Sequence, residues 1–495
     1  MDNSGLIADA LYKTDPTLYA MVDGNNSWKN GLKRRGDRVA KYRRYERGEH
    51  DSSLTDQMRK MLRLSANREL NDFNINYCRI VIDKMVSRLR VSEITSNDEA
   101  QDDYITEVVQ RNDWLTKQGE YFRAAIRDGD SYIMIDPDTL KWVSEPAYDG
   151  YSGVVAIYSP MEEQPLWACK LWSQNDANDL AGDAPVSNSL MRVMVYQPER
   201  ITEWSGTANT TELVRESEID WFAVNEIPIV HFVNLADNYN RYGESEIRAA
   251  LPLQDVLNRT LHSMVMASEF SAFKIAWSIG MEIDKSGITP GAVLNLVLQD
   301  ADGNVISDMT QEQVEFLRAV RVGEFSESDI SQYTNQLSEI TKHISQVTQT
   351  PIYGVTNIAA NISGEALKQL EIGLIGKIQR FQNENIGAVQ RLLQLTSQIQ
   401  NVFDNSYGQA PDLPDLDINW KPAEIVNLEV AVTTLLDIRE RAPGLFDDDF
   451  IRQRIGSLMG LSQAQIQDEG DKAQASSMQM LDLVTGAAGG IPAVV

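Results

Sequence analysis

The sequence predicts an α+β fold that is predominantly helical, on three observations. Three long amphipathic helical patterns lie between Asn240 and Leu395, strand patterns separated by turns lie between residues 131 and 235, and a β-patterned insert divides the first two long helices. The first helical pattern runs from Glu244 to Phe273, with Ile247, Leu251, Val256, Leu257, Leu261, Met264, Val265, Phe270 and Phe273 apolar. The second opens at Ser326-Glu327-Ser328-Asp329, a capping-box-like start. It carries Ile330, Tyr333, Leu337, Ile340, Ile344 and Val347 at alternating spacings of three and four. Thr350-Pro351 closes it, because proline disfavours helix at the residue before it. The third runs from Ser363 to about Gln400, with Leu367, Leu370, Leu374, Ile378, Phe381, Val389 and Leu392 on one side. Such helices span roughly 40 to 55 Å at 1.5 Å per residue, more than a small core requires.

The chain has 495 residues, which points to about three modules, and 42% of them are hydrophobic, enough for a sizeable interior. No run of eighteen apolar residues occurs, so no membrane partner is expected. Met1-Asp2-Asn3-Ser4 lacks the basic start and apolar stretch of a secretory signal. Cys78 and Cys169 are the only cysteines, which excludes a disulfide framework or a tetrathiolate zinc site and reads as two reduced core thiols. The net charge of −27 excludes wrapping of nucleic acid for affinity, since phosphate contacts need Lys and Arg. It fits an acidic soluble surface, or a wall that stays close to DNA without sticking to it.

In chain order, residues 1–27 show few periodic signals and read as a loosely ordered arm. From Trp28 the pattern is helical and basic, with eight Lys or Arg against two acids between Lys33 and Arg47. Beside Tyr42 and Tyr45 that run is either a phosphate contact or the solvated basic side of an amphipathic helix. Further helical patterns cover Leu54 to Leu64, Asn76 to Leu89, Asp98 to Arg111 and Trp114 to Arg127. After the turn Asp128-Gly129-Asp130 the pattern changes period. Strand runs follow at Ser131 to Ile135, Gly153 to Tyr158, Leu166 to Trp172, Met191 to Tyr196, Arg200 to Trp204 and Ile229 to Val233, with Ser173 to Asn188 a polar spacer. They predict a mostly antiparallel sheet.

The insert Lys274 to Phe325 carries β-like runs at Ile275 to Ile279, Val293 to Leu298 and Val314 to Val320, with turns at Asp284 to Gly291 and Gln299 to Asn304. Between two long helices it is a small module at the end of a stalk. The loop Ile352 to Ile362 has no charge. A Pro/Asp connector, Pro411 to Pro422, leads to short helices at Ala423 to Arg439, Asp447 to Met459 and Ser462 to Lys472, and residues after Ala473 form a tail.

Nothing points to catalysis, a cofactor or a metal. Gly373-Leu374-Ile375-Gly376-Lys377 fails as a phosphate loop, because Glu371 and Ile378 stand where Gly and Ser or Thr are needed and the stretch lies within a helix. The histidines His50, His231, His262 and His343 show no i,i+4 pair, and no Gly-x-Ser-x-Gly elbow occurs. Asp447-Asp448-Asp449, at a helix start, suits the cap and the helix dipole.

Several phrases resemble the portal proteins of tailed double-stranded-DNA bacteriophages, of the siphophage type. They are Tyr42-Arg43-Arg44-Tyr45 with Gly48-Glu49-His50; Asn74 to Asp83 closing on Arg88-Leu89-Arg90-Val91; Arg241-Tyr242-Gly243-Glu244-Ser245-Glu246-Ile247 leading into Pro252-Leu253-Gln254-Asp255; and Ser363 to Lys368 after Thr350-Pro351. Together they span residues 28–405. The resemblance implies a portal fold with wing, stem, clip and crown, assembled as a ring, usually of twelve subunits, around a central DNA channel at one capsid vertex. It implies a wing at 28–237, stem helices at 238–273 and 326–350, a clip at 274–325, a tunnel loop at 351–363, a long wing and crown helix at 364–405, a connector at 406–422 and crown helices at 423–472. The arm at 1–27 and the flexible tail at 473–495 lie outside the resemblance and are read from the sequence pattern alone.

Such a ring, assembled in the host cytoplasm and carried in the virion, would pass double-stranded DNA, dock the large terminase subunit and later the head-completion adaptor, and meet the major capsid and scaffold proteins. The implied DNA-facing loop residues are Ile352, Tyr353, Gly354, Val355, Thr356, Asn357, Ile358, Ala359, Ala360 and Asn361; without charge, they would grip or cushion the duplex sterically. The candidate basic groups of channel and clip are Lys342, His343, Lys274, Lys285, Arg318 and Arg321, for which solvent exposure is the competing explanation. An oligomeric capsid- or tail-associated structural protein without a channel fits the acidity and the long helices as well. It leaves the insert between two stalk-length helices unexplained.

Overall fold

The computed structural model describes residues 3–16, 19–20, 27–51, 74–158, 165–173, 190–207, 213–221, 224–236, 241–272, 276–279, 310–319, 321–324, 330–351, 364–403, 407–424, 428–441 and 448–459. The chain divides into two compact units rather than about three, residues 1–421 and 422–495. In the second, α10 (Leu428–Arg441) packs on α11 (Asp448–Met459).

The first unit opens with α1 (Ser4–Thr14), α2 (Ser27–Arg47), α3 (Tyr77–Val86), strand β1 (Val91–Thr95), α4 (Glu99–Arg111) and α5 (Trp114–Asp128). Asn76 and Asp98 cap α3 and α4, their side chains accepting from the N–H of Arg79 and Ala100. Gly129 ends α5 at φ +93°, where a Cβ is disfavoured, and turns the chain into the sheets.

Two antiparallel sheets follow. β2 (Asp130–Ile135) is central in a three-stranded sheet between β3 (Trp142–Pro146) and β9 (Ile229–Val233). β4 (Gly153–Tyr158), β5 (Pro165–Ser173), β6 (Leu190–Tyr196), β7 (Arg200–Thr207) and β8 (Val214–Asp220) form the second in sequence order. In β6 the alternate residues Met191, Val193 and Val195 enter a core with Trp167, Leu171 and Trp204.

A single 3₁₀ turn, Arg248–Ala250, leads into α6 (Leu251–Ala272). Beyond it come β10 (Ala276–Ile279), α7 (Gln311–Ala319), β11 (Arg321–Glu324), α8 (Ser331–Val347), α9 (Gly364–Val402) and β12 (Asp417–Trp420). α6 and α8 pack on each other, and β10 pairs antiparallel with β11 beyond their far ends. The unit's second core centres on Phe122 of α5. Its ring lies 5.7 Å from that of Phe381 on α9, 6.3 Å from Phe232 on β9 and 5.3 Å from Trp420 on β12. Burial of such rings, beyond their area, is worth about 0.5–1.5 kcal/mol per pair.

Four expectations need correction. The supposed arm contains α1, because Leu6, Ile7, Ala10 and Leu11 share a helical face and bury it on the five-stranded sheet. Val314 to Val320 is not a strand: Gln311–Ala319 is helical, since Gln, Glu, Leu, Arg and Ala outnumber its lone valine inside that span. The helix expected from Glu244 begins at Leu251. The N–H groups of Gly243, Glu244 and Glu246 are taken by Asp130, Asn234 and Ile126, and Pro252 suits a first turn. The connector holds β12, paired with β1 from Val91↔Trp420 to Thr95↔Asp417.

β1, β3 and β8 are further strands that the patterns do not single out. β8, Val-Arg-Glu-Ser-Glu-Ile-Asp, is almost wholly exposed, so its alternation is masked by charge. The pattern Leu54 to Leu64, the spacer beyond Ser173, the opening at residues 326–329, Val293 to Leu298 with the flanking turns, the loop Ile352 to Ile362, the helix Ser462 to Lys472 and the tail lie outside the described residues.

Candidate functional site

Three of the phrases singled out in the sequence, Tyr42 to His50, Asn74 to Asp83 and Arg241 to Asp255, meet at the root of α6. The approach Arg241 to Ile247 is fastened to the sheets by its backbone. Gly243 N–H donates to Asp130 Oδ1 at 2.8 Å, Glu244 N–H to Asn234 O at 2.8 Å, and Asn234 N–H to Gly129 O at 2.9 Å. A Cβ on Gly243 would stand 2.0 Å from Gly129 O, so only glycine fits. Asp130 Oδ2 also pairs with Arg35 of α2, whose guanidinium lies 4.4 Å above the Tyr242 ring.

His231 completes this cluster. Its Nε2 is 2.9 Å from Asp130 Oδ1 and its Nδ1 meets the Tyr158 hydroxyl. Burial, then the positive charge of Arg35, lowers its pKa to about 3. The imidazole is therefore neutral: Nε2–H donates to Asp130 and Nδ1 accepts from Tyr158. A carboxylate at this distance normally favours imidazolium. Here Arg35 neutralises it.

α2 lies along the same root. Tyr42 donates to Glu244 Oε1 at 3.1 Å, and burial followed by that neighbour raises the phenol's pKa to about 12. Arg43 reaches Asp128 at 2.9 Å, Asp149 at 2.7 Å and Ala147 O at 2.7 Å. Lys41 and Arg44 pair with Asp51, and Arg47 with Glu49. Much of the basic run is thus committed to the chain's own carboxylates, which weighs against a phosphate contact.

Gln254 and Asn258, one turn apart on the buried face of α6, hold the backbone before α3. Gln254 accepts from Tyr77 N–H at 2.9 Å and donates to Ile75 O at 2.6 Å, while Asn258 accepts from Ile75 N–H at 3.0 Å and meets His50 Nδ1 at 3.0 Å. At the far end of α3, Arg88 grips Glu371 of α9 with two nitrogens, at 2.8 and 3.3 Å. Cys78 and Cys169 are free and buried; burial lifts the Cys78 thiol to about 12.

These carboxylates face arginines, tyrosines and lysines. Among the described residues no group of three or more His, Cys, Asp or Glu could hold a metal ion, and no helix is long and apolar enough to cross a membrane. The arrangement is mechanical: it welds α2, α3, α6 and α9 to the sheets at one root.

Four of the basic candidates lie among the described residues. Lys342 donates to Glu339 on α8 at 2.6 Å, and His343 beside it is exposed. Arg318 and Arg321 are exposed at the junction of α7 and β11. Lys274, Lys285 and the loop residues Ile352 to Asn361 lie outside the described residues. Sequence reasoning does not find Asp130, His231 or Lys377 as a site. His231 shows only as a polar residue within an apolar phrase, and Asp130 only as part of a turn.

Comparison with known proteins gives one family, described as "Phage portal protein, SPP1 Gp6-like", whose profile matches residues 26–475. The portal protein of Mycobacterium phage D29 is 22% identical over 357 residues, covering 70% of this chain and 69% of that protein. Among solved structures, a chain of the virion of a native gene transfer agent particle gives a TM-score of 0.38 at 12% identity, covering 82% of this chain and 99% of that one. A chain of the neck of that kind of particle, computed with C12 symmetry, gives 0.38 at 14% identity, covering 76% and 88%.

Proposed function

The chain belongs to the SPP1 Gp6-like family of phage portal proteins, and from that premise we propose that identical copies of it form the ring through which the genome enters and leaves one capsid vertex. In this reading α6 and α8 are the stem, the insert between them the clip, the preceding helices and sheets the wing, and the helices after residue 422 the crown. The uncharged loop after Pro351 faces the DNA. No chemical step is required of the protein.

One observation supports the ring most directly. Along α6, Leu261, Met264, Val265 and Met266 all remain half exposed in the single chain, although α8 already covers one side of that helix. Apolar surface left partly exposed on a helix that already has one packing partner asks for a second, and a neighbouring copy supplies it by symmetry. The outer face of α8 suits the channel. Gln332, Asn335, Gln336, Glu339, His343 and Gln346 form an exposed stripe whose one carboxylate is paired to Lys342. Amides offer neither strong attraction to phosphate nor a sticky cation. Multiplied around a ring, the charge of −27 per chain repels a passing duplex rather than trapping it.

The clip would dock the large terminase subunit during packaging and the head-completion adaptor afterwards, while the wing and crown would meet capsid and scaffold proteins. In infection by a phage lacking this gene, capsids should contain no DNA. DNA-filled heads in its absence would refute the conduit reading.

A further inference from the structure

Gly373 and Lys377, which look like parts of a phosphate loop in sequence, lie one turn apart inside α9 and have another use. α8 ends in a Schellman turn: Thr350 N–H donates to Ser345 O at 3.1 Å and Gln349 N–H to Gln346 O at 3.2 Å. Gln349 holds the left-handed position at φ +49°, which such turns usually give to glycine. A side chain there is unfavourable, so the turn needs support from outside. α9 provides it. A Cβ on Gly373 would stand 3.1 Å from Gln349 Cβ, so the missing side chain lets the two backbones come close.

One turn along, the Lys377 ammonium donates to Thr348 O at 2.6 Å, a carbonyl without an intrahelical N–H partner that also accepts from the Thr350 hydroxyl at 3.0 Å. The same ammonium pairs with Glu246 Oε2 at 2.6 Å, in the turn just before α6. Glu246 Oε1 takes Arg380 of α9 at 3.2 Å. Lys377 and Glu246 are 4% and 7% exposed, so neither charge has water to fall back on.

We propose that Lys377 is a positioning residue that latches the near ends of both α6 and α8 to a single point on α9, so that one buried cation sets the angle between the helix pair and the long helix. The latch lies within one chain and does not depend on the ring. Where the portal reading holds, load on the stem reaches α9 through it.

Hydrogen–deuterium exchange on the full chain tests this with Lys377→Met, similar in length but uncharged, and with Glu246→Gln. Each variant should speed exchange at least tenfold at two separated places, the amides of Gln349 and Thr350 and those of Glu246 and Ala250. The amides of β5 to β7 should keep their protection. Glu246→Gln leaves the bond to Thr348 O in place, so loosening of the Thr350 amide there reports coupling through the lysine rather than a lost contact. Loosening at one root alone, no change at either, or a uniform rise that includes the sheet would overturn the proposal.

Discussion

The hydroxyl of Tyr45 donates to both carboxylate oxygens of Asp255, at 2.7 and 2.8 Å, joining α2 to the root of α6 across 210 residues of sequence. The tyrosine is fully buried, and burial followed by that bond pushes its phenol far above the usual range, so it is a fixed donor. Tyr45→Phe keeps the ring and removes the donor. It should cost about 1–3 kcal/mol, measured as a lower urea midpoint at unchanged m value. A shift worth less than about 0.5 kcal/mol would mean that the bond contributes little.

Gly243→Ala should be far more damaging for its size. The new methyl would stand 2.0 Å from Gly129 O and 2.4 Å from Asn234 O, both backbone atoms held by the sheet. A loss above about 4 kcal/mol, or failure to fold, is expected at this contact. A near-normal melting temperature would show that the 241–247 segment is not pinned as described.

His231 makes stability depend on pH in a stated direction. Its folded pKa, about 3, lies below the ordinary 6.5, so between those values the unfolded chain binds the proton and the folded chain does not. Stability therefore falls as pH drops from 6.5 towards 3, by up to about 1.4 kcal/mol per unit from this group. His231→Asn should flatten that slope in denaturant titrations at pH 7, 6, 5 and 4. An unchanged slope would place the acid sensitivity elsewhere.

Met264→Glu tests the half-exposed face of α6. The substitution adds a charge where the proposed ring buries apolar surface, while the single chain keeps that position partly in water. Assembly should fail, with circular dichroism and the monomer's melting temperature little changed. Assembly at wild-type concentration would remove this face from the interface.

Much of the fold is legible because its signals are local. Asn76 and Asp98 announce α3 and α4 as caps, and short apolar runs rich in β-branched and aromatic residues mark Gly153–Tyr158 and Ile229–Val233. α1 is not legible, because its apolar stripe is short and Asn3 makes no side-chain cap bond. β12 hides in a Pro/Asp connector, as its partner β1 lies far upstream. The junction is legible only as phrases. That Tyr45 reaches Asp255, or Lys377 both Glu246 and Thr348, depends on tertiary packing that no spacing encodes. The Gly373 to Lys377 stretch makes the same point, since a near-motif for phosphate serves helix packing.

The most direct test of the conduit is the mass and symmetry of the purified protein, by native mass spectrometry with electron-microscopy class averages. A closed ring of identical subunits with a hole through its centre is expected. A compact dimer without a hole would contradict it.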